Sequence, residues 1–227
     1  HFHLGYALDI PDDLLKSAIA KGYREQVLLD TGLCAKNSRD LTYDRFKGRV
    51  IYPIFSVSGR PIAFGGRTLR SDKKIAKYVN SPESEIYHKS SVLYGLYQAK
   101  QSIVRKDKCF LVEGYMDVIS MCQAGITNVV ASSGTSLTQG QIRLIHRFTK
   151  NVTVIYDSDA AGIKASLRGI DLLLAEGLNI KVLLLPDGDD PDPFAQHNSP
   201  AFVEKYIEDN EQDFIGFKTR ILLDGTK

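Results

Sequence analysis

The second half of the chain carries acidic residues at spacings that could hold a hard metal ion. They form three groups, and each group follows a short apolar run. In chain order the groups are Glu113 and Asp117, then Asp157 and Asp159, and then Asp187, Asp189, Asp190 and Asp192. Carboxylates that lie close together repel one another unless a cation lies between them, and all-oxygen ligand sets favour Mg²⁺, Mn²⁺ or Ca²⁺. Such ions bind phosphate oxygens and can act in pairs, so the pattern predicts chemistry on phosphates.

The elements that must position these acids are predicted to alternate between strand and helix. The apolar runs are Cys109–Val112, Asn128–Ala131, Val152–Tyr156 and Ile180–Leu185, and the helical segments are Val118–Ala124, Thr138–Phe148 and Ile163–Glu176. This alternation is typical of a parallel sheet covered by helices, in which ligands bind at the carboxyl ends of the strands. The acids follow the first, third and fourth runs. Taken singly, each group could instead be a helix cap or a polar turn.

The first half of the chain predicts a mixture of helices and antiparallel strands. Residues 11–30 have helical spacing of apolar residues, and residues 50–68 have the pattern of a β-hairpin. A short strand is predicted at Lys77–Asn80 and a helix at Leu93–Val104. Beyond the alternating segments, residues 200–222 are predicted to be helical.

Charge is distributed unevenly, although the formal net charge is only +2. Residues 45–108 are rich in lysine and arginine, whereas residues 187–213 are rich in aspartate and glutamate. One interpretation is a basic track for phosphates that leads to a metal site. The other is two solvated surfaces of opposite bias, and charge alone favours this second interpretation.

The three cysteines and the hydropathy exclude several other classes of protein. No C-x-x-C pair occurs, so neither a zinc site nor a disulfide framework is expected. Reduced thiols are typical of the cytoplasm, where we expect the protein to act. No apolar run reaches membrane-spanning length, so no membrane partner is expected.

Two motifs resemble the TOPRIM module that topoisomerases, primases and some nucleases share. They are Leu-Val-Glu-Gly-Tyr-Met-Asp at 111–117 and Tyr-Asp-Ser-Asp at 156–159. Further motifs resemble one branch, the bacterial DnaG-type DNA primases: Arg-Val-Ile-Tyr-Pro-Ile at 49–54, Phe-Gly-Gly-Arg at 64–67, Lys-Tyr-Val-Asn-Ser-Pro-Glu at 77–83, Leu-Tyr-Gly-Leu at 93–96, Ser-Ser-Gly-Thr at 132–135 and Asp-Gly-Asp-Asp-Pro-Asp at 187–192. The resemblance extends from Phe2 to at least Asp192.

The resemblance implies an α/β fold in three parts. A mixed α+β subdomain would span residues 1–106, a Rossmann-like TOPRIM subdomain with a parallel sheet would span 107–192, and a partial helical segment would span 193–227. The family's zinc-binding domain and its helicase-binding domain have no counterpart in this sequence. We therefore expect the chain to be a fragment of a longer protein.

Residue roles follow from the resemblance position by position. Glu113, Asp157 and Asp159 would be catalytic and would bind Mg²⁺ (or Mn²⁺), with Asp117, Asp190 and Asp192 completing the metal site. The residues implied to bind the nucleic acid or the nucleotide are Arg49, Arg67, Lys77, Asn80 and Lys89. Two positions depart from the family's usual residues, because Ser158 replaces a glycine and Tyr87 replaces a phenylalanine.

The implied activity is synthesis of short RNA primers on single-stranded DNA by two-metal nucleotidyl transfer. The implied partners are the DNA template, ribonucleoside triphosphates and the RNA product, at the bacterial replisome. A replicative helicase and the zinc-binding domain would act through parts of the protein that this sequence lacks. Two alternatives stay open: a TOPRIM nuclease or topoisomerase fragment, which would cut or relax DNA, and an inactive module that only binds single-stranded DNA.

Overall fold

The chain divides into two compact units, His1–Lys89 and Ser90–Lys227. The structure is a computed structural model that describes residues 1–72, 74–134, 137–156, 172–186 and 189–224. In the part of the chain so described, none of the helices is both long and apolar enough to cross a membrane.

An antiparallel sheet with strand order β1-β4-β5-β6 forms the centre of the first unit. Its strands are β1 (Gly5–Ala7), β4 (Arg49–Phe55), β5 (Pro61–Thr68) and β6 (Tyr78–Asn80). The predicted hairpin is confirmed as β4 and β5, and Gly59 takes a φ of 88° in the turn, a conformation that glycine adopts without steric cost. A Cβ at Gly66 would lie only 2.7 Å from the Phe46 ring. Because glycine has no side chain, Phe46 can pack directly on the sheet.

Two short helices and a small hairpin complete the first unit. They are α1 (Asp13–Ala20), α2 (Glu25–Asp30), β2 (Cys34–Lys36) and β3 (Thr42–Asp44). The prediction of helix over 11–30 is confirmed with a break at residues 21–24. The buried Asp44 carboxylate accepts hydrogen bonds from the backbone N–H groups of Leu14 (2.6 Å) and Leu15 (3.0 Å). A residue on β3 therefore satisfies amide donors that every helix leaves open in its first turn.

The second unit contains the predicted parallel sheet, with strand order β11-β10-β9-β7-β8. Four of its strands are parallel: β7 (Cys109–Val112), β8 (Val129–Ala131), β9 (Asn151–Tyr156) and β10 (Asn179–Leu184). The helices before and between them include α3 (Leu96–Lys106), α4 (Tyr115–Gln123) and α5 (Gln139–His146). All four predicted strands are confirmed to within one residue. The predicted helix Ile163–Glu176 falls mostly outside the described residues.

Burial of the central strands from both sides explains their unbroken apolar character. Every residue of β7 is buried, because helices pack on both faces of a parallel sheet. Gly95, at the start of α3, has a φ of 80°, and a Cβ there would lie 2.7 Å from Cγ1 of Val118. A glycine at this position therefore allows the start of α3 to lie directly against α4.

The end of the chain differs from the single helical stretch predicted over residues 200–222. After α6 (Pro191–His197), two helices occur, α7 (Pro200–Asn210) and α8 (Phe214–Asp224). Between them, the short strand β11 (Gln212–Asp213) pairs antiparallel with β10. Backbone hydrogen bonds to the edge of the sheet thus outweigh continuation of the helix, and a strand of two residues has no periodicity that a sequence pattern could detect.

Candidate metal centre and nucleic-acid surface

Glu113 directly follows β7, at the carboxyl end of the parallel sheet, and its side chain is exposed. The backbone of this position is held by the segment that follows β8. The N–H of Ser133 donates to the carbonyl oxygen of Glu113 (3.0 Å), and the N–H of Ser132 donates to that of Val112 (3.4 Å). Hydrogen bonding between β7 and β8 therefore continues past the ends of both strands, as far as the predicted catalytic glutamate.

Asp117 lies in the first turn of α4 and turns back toward its beginning. Its Oδ2 accepts a hydrogen bond from the backbone N–H of Gly114 (2.8 Å). Burial, together with the negative charges of Asp190 and Asp192, raises the pKa of the Asp117 carboxyl to about 6, against the lowering effect of the hydrogen bonds from the backbone of Gly114 and Asp192. The structure thus brings Asp117 together with Asp190 and Asp192.

Asp190 and Asp192 lie at the beginning of α6. The carbonyl oxygen of Asp190 accepts the N–H of Phe194 (3.1 Å), and its side chain is exposed. Asp192 Oδ1 accepts hydrogen bonds from Oγ of Ser120 and from Nε2 of Gln196, each at 2.5 Å. Its backbone N–H also donates to Asp117. Sequence reasoning missed Ser120, although it lies one helical turn after Asp117 and so shares its face of α4.

Asp157 and Asp159 lie outside the described residues, as does Asp187. The strand that precedes them, β9, is described as far as Tyr156 and pairs with both β7 and β10. Its carboxyl end therefore lies between the strand ends that lead to Glu113 and to Asp190. Within the described ranges, no three His, Cys, Asp or Glu side chains are close enough together to hold a metal ion.

The predicted nucleic-acid residues of the first unit differ in burial. Arg49 is 8% exposed, and its Nη1 donates to the carbonyl oxygens of Gly66 (3.3 Å), Ala76 (2.9 Å) and Lys77 (3.4 Å). Burial lowers the pKa of Arg49. Lys77, by contrast, is exposed. Arg49 therefore fixes the backbone that carries Lys77.

Arg67 and Tyr78 are neighbours on one face of the antiparallel sheet. They lie opposite each other on β5 and β6, and the guanidinium carbon of Arg67 is 6.0 Å from the centre of the Tyr78 ring. Asn80, two residues further along β6, lies opposite Gly65 on the same face and is partly exposed. This face therefore presents a cation, an aromatic ring and an amide in adjacent rows.

Lys89 ends the first unit and is held by a residue that sequence reasoning missed. The carboxylate of Glu83 accepts a hydrogen bond from the backbone N–H of Lys89 (2.9 Å) through Oε1, and its Oε2 lies 3.2 Å from Nδ1 of His88. Glu83 lies in the motif at 77–83. Its contact with Lys89 depends on the turn between Ser84 and Tyr87, and the sequence spacing of the two residues does not predict that turn.

Comparison with known proteins gives matches along both units. A family model described as the DNA primase catalytic core, N-terminal domain, matches residues 1–100, and a Toprim-like model matches residues 110–195. The DNA primase of Clostridium acetobutylicum is 45% identical over 207 residues, which are 91% of this chain and 34% of that protein. The DNA primase of Escherichia coli K12 is 40% identical over 210 residues, covering 91% and 36%. The chain thus spans about a third of the length of these relatives.

Solved structures match over most of the chain. A DNA primase domain from Pseudomonas aeruginosa has a TM-score of 0.88 at 39% identity and covers 98% of this chain and 70% of that one. A DnaG primase catalytic domain bound to single-stranded DNA has a TM-score of 0.83 at 41% identity, covering 92% and 66%. The Escherichia coli primase catalytic core has a TM-score of 0.88 at 38% identity, covering 99% and 72%. These matches agree with a mixed first unit followed by a parallel TOPRIM sheet.

Proposed function

The chain belongs to the family of bacterial DnaG-type DNA primases, and we propose that it is the part of such an enzyme that joins ribonucleotides into a short RNA primer on single-stranded DNA. The observation that carries this proposal is the acidic carboxyl end of the parallel sheet. There the buried Asp117 carboxyl faces Asp190 and Asp192. Among the described residues, no lysine or arginine forms an ion pair with any of the three. We propose that these acids, together with Glu113, Asp157 and Asp159, accept divalent cations and, with them, phosphates.

The donor set fits Mg²⁺ or Mn²⁺. All the candidate ligands are carboxylates, and a buried carboxyl whose pKa is raised by neighbouring acids is stabilised as an anion by a cation. We propose that Glu113, Asp157 and Asp159 hold the ions at the reaction centre and that Asp117, Asp190 and Asp192 complete the site. A pair of such ions, held by these residues, would supply activation of an attacking hydroxyl and stabilisation of the charge on the departing pyrophosphate. The protein itself contributes placement, since Ser120 and Gln196 fix the orientation of Asp192.

The first unit would bind the template and the incoming ribonucleoside triphosphate. Arg67 and Lys77 are partly or fully exposed and can bind phosphates without reading sequence, and Asn80 and Lys89 extend this surface. Tyr78, next to Arg67, can stack on a base. Arg49 would act from behind this surface, because its guanidinium is already used by three carbonyl groups. A structural relative bound to single-stranded DNA supports a template partner.

Partners of the whole protein follow from the family. We propose that a zinc-binding domain and a replicative helicase act with this chain through other parts of the full-length protein, in the cytoplasm of a bacterial cell.

Among the described side chains, the tyrosine beside Glu113 is not suited to be the nucleophile of a topoisomerase. Tyr115 is the tyrosine next to Glu113 in sequence, but it is 3% exposed and packs edge-on against Tyr94, with 4.7 Å between ring centres. A side chain packed in this way contributes to the core and is not presented to DNA. Matches to primases along both units also favour synthesis over cleavage.

The test is RNA synthesis on single-stranded DNA with Mg²⁺ or Mn²⁺, comparing Asp157→Asn with the parent protein. We expect the variant to lose at least about 100-fold in rate, because one ligand of the reaction centre is removed, and to bind single-stranded DNA as tightly as the parent. The matched control is Asp209→Asn, an exposed aspartate on α7, which should leave the rate unchanged. Full activity of Asp157→Asn would contradict the metal assignment, and cut or relaxed DNA as the product would contradict the proposed function.

A further inference from the structure

The segment after β8, residues 132–138, is the part of the second unit that contacts the main chain of Glu113. We call it the β8 loop, and its residues 135 and 136 lie outside the described residues. The N–H of Ser133 donates to the Glu113 carbonyl oxygen at 3.0 Å. Because the Glu113 side chain itself is exposed, the placement of its carboxylate depends on how firmly the backbone is held.

The turn at the start of the β8 loop has an unfavourable conformation. Ser133 has a φ of 60° and is followed by Gly134 with a φ of 78°. Ser133 is also 9% exposed, and its Oγ has no hydrogen-bond partner among the residues that the structure describes. A buried serine in the left-handed region persists only where the surrounding structure fixes it.

One buried amide fixes both ends of the β8 loop. Gln141, on α5, is 0% exposed, and its Nε2 donates to the carbonyl oxygens of Val92 (2.9 Å) and Ser132 (3.5 Å). Its Oε1 accepts the backbone N–H of Thr138 (3.1 Å). The Thr138 hydroxyl in turn donates to the carbonyl oxygen of Ser90 (2.5 Å). Both hydrogens and the oxygen of the amide are thus used, and they join the two ends of the loop to the segment before α3.

We propose that Gln141 is a positioning residue for nucleotidyl transfer: through Ser132 and Ser133 it fixes the main chain of Glu113, and with it the carboxylate that holds the metal. The inference rests on the proposed function. Only an amide supplies two donors and one acceptor from a single planar group, so neither an apolar side chain nor a hydroxyl can replace it. Groups that orient a metal ligand without touching the metal commonly change metal affinity or activity about 10- to 100-fold when they are removed.

A purely structural role for Gln141 makes a different prediction. Thr138 and Gln141 form a reciprocal cap at the beginning of α5, since the Thr138 hydroxyl accepts the backbone N–H of Gln141 (3.2 Å). If capping were its only role, removing the amide would lower the melting temperature and leave metal binding by the folded protein unchanged.

The test compares Gln141→Met with Gln139→Met in the purified protein. Methionine preserves the length of the side chain but removes its hydrogen bonds. Gln139 lies on the same helix, is exposed and bonds Glu176 at the surface (2.6 Å), so it provides the control. Measurements are kcat and KM for ribonucleoside triphosphates and Mn²⁺ binding by electron paramagnetic resonance, below the melting temperature of every variant. We expect Gln141→Met to lower kcat and weaken Mn²⁺ binding about tenfold with KM nearly unchanged, and Gln139→Met to change neither.

Parental kcat and parental Mn²⁺ affinity in folded Gln141→Met would overturn the inference. If that variant does not fold, Ser133→Gly decides, because glycine accepts the φ of 60° and loosens the turn. It should lower kcat about threefold or more at an unchanged melting temperature, and parental behaviour would overturn the inference. If the parent protein makes no RNA, the proposed function fails, whereas the Mn²⁺ measurement still decides the role of Gln141.

Discussion

At the amino end of the parallel sheet, the carboxylate of Glu211 lies between two lysines, whereas at the carboxyl end Asp117 faces two more acids. Glu211 forms ion pairs with Lys108 and with Lys181 (3.3 Å) and accepts a hydrogen bond from Thr153 (2.8 Å). Burial alone would raise the pKa of Glu211, but the hydrogen bonds from Lys108 and Thr153 and the charges of both lysines lower it. Burial and like charges instead raise the pKa of Asp117 to about 6.

The difference fits the proposed roles, in which Glu211 stabilises the fold and the acids at the carboxyl end bind a ligand. At the amino end, the protein supplies its own cations, and the ion pairs join β7, β10 and the segment before β11. At the carboxyl end, the described residues supply hydrogen-bond donors that orient the carboxylates but no positive charge. An unneutralised group of acids costs stability, and this cost is a physical argument for the proposed binding of a cation from solution.

The largest effect is expected when one glutamate at each end of the parallel sheet is replaced by glutamine. Glu113→Gln should lower the rate of RNA synthesis at least about 100-fold while the melting temperature stays within a few degrees, because Glu113 is exposed and holds no other described side chain in place. Glu211→Gln should do the reverse, lowering the melting temperature and leaving the rate of the folded protein unchanged. Primer synthesis and thermal unfolding of both variants check the pair. Loss of activity in folded Glu211→Gln would mean that the amino end also serves catalysis.

Sequence reasoning was most successful where local pattern and burial agree. The predicted strand Cys109–Val112 has the bounds that the structure shows, because a short apolar run directly before Glu113 is typical of a buried strand. The position of Glu113 at the end of this strand follows from the same pattern. The hydrogen bond that Asp117 accepts from the Gly114 amide could not be predicted, because glycine at a cap position offers no side-chain signal.

Contacts between distant segments could not be read from the sequence. Glu211 meets Lys108 across about half of the chain, and nothing in the spacing of an isolated glutamate between two helices predicts that contact. The same holds for Gln141, a polar residue that sequence alone would place on the surface of a helix. It is completely buried, because the carbonyl groups of Val92 and Ser132 require a donor. Tertiary contacts decide both cases.

A smaller effect concerns the pH dependence of stability at the carboxyl end. The folded protein keeps a proton on Asp117 up to a pH of about 6, whereas the unfolded chain loses it near 3.8. The unfolded state therefore binds fewer protons in this window, so stability falls as the pH rises through it, by at most about 3 kcal/mol. Without divalent ions, the melting temperature of the parent minus that of Asp117→Asn should increase as the pH is lowered from 7.5 to 5.5.

A divalent cation should abolish the pH dependence of the difference in melting temperature between the parent and Asp117→Asn. Bound Mg²⁺ favours the ionised carboxyl of Asp117, so the difference between parent and Asp117→Asn should no longer increase at low pH when Mg²⁺ is present. The difference in melting temperature between parent and variant is the quantity to follow, because contributions that both proteins share cancel in it. If the melting temperatures of the parent and of Asp117→Asn change equally with pH in the absence of metal, the raised pKa of Asp117 is contradicted. The contrast with Glu211 would then fail.

The smallest effect compares the two lysines at the amino end with each other. The Lys108 side chain is 29% exposed and its Nζ lies 4.8 Å from the centre of the Phe110 ring, whereas the Lys181 side chain is 57% exposed. Because water screens the more exposed pair, Lys181→Ala should cost roughly 0.5 kcal/mol or less and Lys108→Ala about 1–2 kcal/mol in urea unfolding. The exposed Lys205 on α7 is the control, and its removal should cost less than either.

In a Glu211→Gln background, the free-energy cost of both lysine variants should decrease, most of all for Lys108, because the carboxylate that pairs with the lysines is absent. Equal costs in both backgrounds would mean that packing against Phe110, and not the charge of Glu211, makes Lys108 important at this end of the sheet.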